Sequence, residues 1–223
     1  MSCAISPNKC FYNDHPCPGS TCIHAPPTAP PSLSWNTKIG LIEPLYEQLR
    51  NILDPNPTRS GVAETPSRVA YAWQHWAGGY DIEPADLLKT FEDGGEEYDE
   101  MVNVRNIPFY SHCEHHYAPF FGHATIAYIP SKRIVGISKL ARILDAYARR
   151  FQVQERMTVQ IANLLQEHLN PIGVGVYIKA RHLCMESRGV NLKGGDTDTV
   201  TTRFLGAIKD QPMARAEFLG LCK

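Results

Sequence analysis

No apolar run in the sequence approaches the ~18 residues of a membrane-spanning helix, which argues against a membrane span. Neither sign of charge is in excess. Lys and Arg number 22 against 23 Asp and Glu, a formal net charge of -1, so no global positive field points to nucleic acid. Any anion site must be built locally. The N-terminal stretch MSCAISPNKCFYNDHPCPG lacks the basic start and apolar stretch of a secretory leader, so a cytoplasmic location is expected. The paired cysteine framework of a small secreted domain is missing too: the cysteines number 7, an odd count, in 223 residues. Where cysteines stay reduced, those beside histidines suggest a metal first.

What is present divides the chain into three parts. Residues 1–35 hold Cys3, Cys10, Cys17 and Cys22 and end in a proline-rich run, which reads as a flexible tail unable to build a core. These cysteines, with His15 and His24, lack the tight pairing of a zinc ribbon, and a reduced, disordered tail is expected. Residues 36–95 read as an N-terminal helical region. Apolar residues from Ile39 to Leu53 follow helical spacing, but Pro44 suggests a start near Glu43. Thr65-Pro66 reads as an N-cap followed by proline in a helix running to Gly78, and a short helix is expected over Pro84–Thr90. Residues 96–223 change period. Strands are expected over Glu100–Phe109, Phe121–Ile129, Arg133–Ile137, Val174–Ala180 and Thr199–Ile208. Helices are expected from a Ser138 cap to Arg150, from Gln154 to Leu169, and from Met213 to Leu221. The order gives an α+β class with antiparallel pairing.

The densest chemistry is Cys113-Glu114-His115-His116, joined far along the chain by His182-Leu183-Cys184. A thiolate and an imidazole three residues apart can share one ion on a turn. Alternation in a strand would put His182 and Cys184 on one face. Two sulfurs and one nitrogen suit zinc, and three protein ligands leave a fourth position open, as catalytic sites do. Spacing alone leaves two other readings: a core thiol with surface histidines, or a closed structural site. The spare histidines His112, His115 and His182 favour chemistry, because a hydrolytic site needs acid–base groups and a structural site does not.

Five segments carry a family resemblance from about Ile39 to Cys222. They are Glu64-Thr65-Pro66-Ser67-Arg68-Val69, Phe109 to His116, Gly136-Ile137-Ser138-Lys139-Leu140-Ala141-Arg142, Gln152-Val153-Gln154-Glu155-Arg156, and His182 to Val190. In these the chain resembles GTP cyclohydrolase I. The resemblance implies the tunnelling fold, antiparallel strands with two helices packed on one side. It also implies a homodecamer of two stacked pentamers with active sites between subunits. Cys113, His116 and Cys184 would be the Zn2+ ligands. Water activated there would attack C8 of GTP, with His115 and His182 as acid–base partners. Formate would leave, and a new ring would close to give 7,8-dihydroneopterin triphosphate. Gln154 and Glu155 would bind substrate, Glu155 accepting the N1 and N2 hydrogens of guanine. Ser138 and Lys139 at a helix start, with Arg142, Arg68 and Arg188, would cradle the triphosphate. Taken alone, Glu155 reads as a solvated helix-start residue and the arginines as surface residues.

Two departures stand out. The stretch from Asn191 to Thr202 is about two residues longer than in the family, adding Asp196 and Asp198 near the expected triphosphate site. The cysteine-bearing tail is the other. Competing readings are a pterin or deazapurine enzyme of the same fold, with three histidines on zinc or a cysteine nucleophile, and a zinc-stabilised module without catalysis.

Overall fold

The computed structural model describes residues 33–91, 98–192 and 197–222. The cysteines and histidines of the tail, and Asp196, lie outside the described residues.

The N-terminal part is a helical hairpin. Helix α1 runs Trp35–Leu53, capped by Ser34, whose side chain accepts from the Thr37 N–H. The helix therefore starts well before Glu43. Pro44 sits inside it, because the carbonyl it leaves without a partner, that of Gly40, is on an exposed stretch where water can take it up. Helix α2 spans Thr65–Trp76, with Glu64 rather than Thr65 at the cap and Pro66 in the first turn. The two helices are pinned by Trp73 Nε1–H donating to Tyr46 Oη at 2.6 Å. The expected helix over Pro84–Thr90 is one 3-10 turn, Pro84–Leu87, and the chain then extends into strand β1, Thr90–Phe91.

The main sheet has the order β5-β2-β3-β6-β7. Its long strands are β2 Val102–Cys113, β3 Pro119–Ile129, β6 Gly173–His182 and β7 Thr199–Gly206, which pair antiparallel with one another. Strand β5, Phe151–Gln152, lies parallel to the end of β2. Strand β4, Ile134–Val135, leaves this sheet and pairs with β1. In β2 the register slips between Val104 and Ile107, with Asn106 in the left-handed region at φ 54°.

Helices α3, Ile137–Ala148, and α4, Gln154–Leu169, cover one face of the sheet. Alternation decides this face. Ile126 and Tyr128 of β3 and Val174, Val176 and Ile178 of β6 meet Leu140, Ile143, Leu144, Met157, Ile161 and Leu165 in one cluster. Each fully buried aliphatic side chain contributes roughly 1.5–3 kcal/mol. Gly136, not Ser138, caps α3, since β4 ends at Val135, two residues earlier than the sequence suggests. Asn170, left-handed at φ 47°, ends α4 as expected. Beyond β6 a single turn α5, Leu183–Glu186, follows. Strand β7 stops at Gly206, and the short α6, Ala207–Asp210, leads into α7, Pro212–Leu221. Helix α7 covers part of the opposite face, where Phe218 packs on Ala127 and Ile208. This is the α+β, helices-on-one-side architecture of the tunnelling fold.

Candidate active site

The site starts at the end of β2. Cys113 is buried, its N–H bound to the Ala118 carbonyl at 2.9 Å. Its own carbonyl accepts from the N–H groups of His116 (3.3 Å) and Tyr117 (2.8 Å), which closes a tight turn. Tyr117 holds φ 54°, unusual for a bulky residue, and stacks on Phe151 with ring centroids 4.3 Å apart. The turn therefore brings His115 Nδ1 to 3.7 Å and His116 Nδ1 to 3.8 Å from the Cys113 sulfur.

Cys184 arrives from elsewhere. It does not share a strand face with His182, because β6 ends at His182 and Cys184 lies on the α5 turn. The change of conformation carries its sulfur to the other two ligands. One ligand atom each from Cys113, His116 and Cys184 lie within 4.8 Å of one another. Ligands around tetrahedral zinc are separated by about 3.5–3.8 Å, so the group fits with slight contraction. Burial raises the Cys184 thiol pKa, the adjacent Cys113 adds to the rise, and Arg188 opposes it. A bound cation would relieve this by favouring both thiolates. Among the described residues no further Cys, His, Asp or Glu joins the group. The three can hold one metal ion with a coordination position to spare.

Beside them His182 is stacked on Phe120 at 4.6 Å with rings 3° from parallel. Strand register makes the pair, since Phe120 of β3 lies opposite His182 of β6. Burial lowers the His182 pKa, so the ring is neutral near pH 7. Its Nε2 lies 2.7 Å from Gln154 Oε1. Gln154 is buried, and its amide nitrogen faces the Ile178 carbonyl, the Thr199 carbonyl and Thr201 Oγ1 at 3.0–3.1 Å. Turning the amide over would set oxygen against two carbonyls. The amide is therefore held with its oxygen toward His182, so Nε2 carries the proton and Nδ1 is the acceptor. Gln154 thus touches His182, with its side chain fully engaged by protein. Glu155, next on α4, is exposed at the helix start, and its charge acts on His182.

A family model described as GTP cyclohydrolase I matches residues 42–223. The chain belongs to the GTP cyclohydrolase I family. It is similar to a GTP cyclohydrolase 1 of Nitrosospira multiformis, 54% identical over 178 residues, 80% of this chain and 92% of the relative. A GTP cyclohydrolase 1 of Janthinobacterium is 50% identical, covering 90% of this chain and 96% of its own. One of Sinorhizobium fredii is 48% identical, covering 75% and 81%. This chain is an enzyme of that GTP cyclohydrolase I family.

The remaining residues separate into those near the metal group and those far from it. His115 is mostly exposed, 3.9 Å from the Glu114 carboxylate, which Arg156 grips in turn. Arg188 is close enough to act on Cys184. His112, by contrast, is boxed between Trp73 and Trp76 at 5.1 and 5.2 Å, and burial lowers its pKa. Arg68 points to Glu64 on its own helix at 2.5 Å, both exposed. Ser138 and Lys139 open α3, whose far end leads through Arg150 to Ser111 and β5 beside Cys113. The helix is about 18 Å long, and Ser138 and Lys139 lie at its end away from β5. Arg142 is one turn on, exposed. Asp198 is held by Lys179 at 2.7 Å, on the sheet face away from α3 and α4. Among the described residues no helix is long and apolar enough to cross a membrane.

Sequence reasoning missed Phe120, Arg156 and the Arg181–Glu186 pair. The first needs the β3–β6 register, and the others need the fold of the two turns.

Proposed function

We propose that this enzyme opens the purine ring of GTP in a zinc-dependent hydrolysis, releases formate and closes 7,8-dihydroneopterin triphosphate. The observation that carries the reading is the meeting of Cys113, His116 and Cys184, from two distant segments, around a point with no fourth protein ligand among the described residues. Zinc bound there supplies Lewis acidity and makes water nucleophilic near neutral pH.

The chain's own residues do the rest. His115, exposed beside the metal group, donates and accepts protons at the imidazole nitrogens of guanine. His182, neutral and with Nε2–H fixed by Gln154, offers Nδ1 as a base as the ring opens. The buried amide of Gln154 supports a positioning role rather than direct contact with substrate. Glu155 accepts the two hydrogens of the guanine N1 and N2 edge, which selects guanine over adenine. Ser138, Lys139, Arg142, Arg68 and Arg188 bind the triphosphate.

The span of α3 supports sites shared between subunits, because Ser138 and Lys139 lie at its end away from β5, the strand paired beside Cys113. A homodecamer of two pentamers, cytoplasmic and with GTP as substrate, fits this. Incubation of the enzyme with GTP, with and without a zinc chelator, tests the reading. Formate and an oxidisable, fluorescent pterin should form only with metal. Pterin formation unaffected by complete zinc removal would sink the zinc assignment.

A further inference from the structure

Arg181 and Glu186 bracket the two residues of the C-terminal half of the site. Between them lie His182 and Cys184, and neither Arg181 nor Glu186 is one of the three ligand residues. We propose that this ion pair is a positioning brace: it holds the α5 turn so that the Cys184 thiolate stays at metal-binding distance from Cys113 and His116. The inference rests on the zinc reading above.

The turn needs support from outside itself. α5 is a single turn of four residues, its cap residue His182 gives no side-chain cap bond, and none of its residues is fully buried. A helix of that length has no stability of its own. Its local bonds, Ser187 N–H and Oγ–H to the Leu183 carbonyl and Leu192 N–H to the Met185 carbonyl, tie it to its own continuation, not to the sheet.

Cys184 packs against the core cluster and the turn lies on β3; the ion pair adds a directional polar tie to the sheet. Arg181 belongs to β6, opposite Phe121 of β3, and its guanidinium lies 5.8 Å from the Phe121 ring. That ring stacks on Tyr110 of β2 at 5.9 Å. The arginine is thus seated on three-strand structure. Its Nε donates to Glu186 Oε1 at 3.1 Å and its Nη2 to Oε2 at 2.5 Å. Two parallel bonds fix orientation as well as distance. Glu186 is 10% exposed at its side chain, Arg181 38%, so this pair is more shielded than an ordinary surface pair, which contributes little. It closes a ring through residues 181–186 that contains His182 and Cys184. With the ring closed, Cys184 is presented in place. With it open, metal binding must also order the turn, and affinity falls by that amount.

Glu186→Gln, Glu186→Ala and the exchanged pair Arg181→Glu/Glu186→Arg test this. Zinc affinity is measured by competition with a chromophoric chelator, and thiolate ligation by the absorption of the cobalt-substituted protein. Thermal melts are run without metal. The single variants should bind zinc about 10–100-fold more weakly, in the range seen for residues that orient ligands. Their cobalt–thiolate bands should weaken while the metal-free melt barely moves, and the exchanged pair should recover part of the affinity. Single variants that hold zinc as tightly as the parent overturn the brace, as does a fall in affinity that only tracks a lost metal-free fold. A parent protein that binds no zinc sinks the functional reading itself, and this inference with it.

Discussion

The decisive residues sit in unlike settings. Cys113 is buried and His116 exposed, while His115 carries most of its ring in solvent beside Glu114. His115 is thus free to meet substrate without supporting the fold. His115→Ala should keep the melting temperature and the zinc content, while turnover falls by about 10²–10⁴, the usual worth of a positioned acid–base group. Unchanged turnover would remove His115 from the mechanism. His112, in the same motif, differs in kind: packed between Trp73 and Trp76, it belongs to the contact between α2 and the sheet. Motif membership alone does not separate these two histidines. Burial does.

At the scale of elements, the β3–β6 ladder aligns the site. It pairs Phe120 with His182 and Phe121 with Arg181, and so sets both the acid–base ring and the start of the α5 turn. Gly122 keeps those strands at their spacing. A Cβ there would stand 1.9 Å from the Lys179 carbonyl oxygen, and backbone cannot give way cheaply. Gly122→Ala should therefore lower stability by about 2 kcal/mol or more in urea unfolding and reduce turnover by displacing His182. A variant as stable and as active as the parent would show that the ladder absorbs the methyl group. Helix boundaries belong to this scale too. Gly136 and Glu64 take cap positions that Ser138 and Thr65 fit better by propensity, because the preceding turns fix where each helix begins.

At the scale of the whole molecule, the described residues include a row of exposed apolar side chains on α1. Leu41, Leu45, Leu49, Ile52 and Leu53 along α1 are between 46% and 78% exposed. A stripe at this spacing fits a helix face that another subunit covers. The proposed sharing of each site between two chains predicts complementation. His115→Ala and Lys139→Glu, each inactive alone, should regain part of the activity when co-expressed in one assembly, since some sites then combine two intact halves. Mixed assemblies, verified by mass, that stay inactive would put both residues in a single chain's site.

The α+β class, the helix periods of α3 and α4 and the identity of the chemical groups were legible in the order of residues alone. Those follow from local periodicity and residue type, which need no partner. That Cys184 lies on a turn rather than a strand face, that the Gln154 side chain is engaged by His182 and the β6 and β7 backbone, and that Ser138 and Lys139 lie at the end of α3 away from β5 came from the folded arrangement alone. Each depends on where strands pair and end, a long-range outcome of packing that no window of sequence contains.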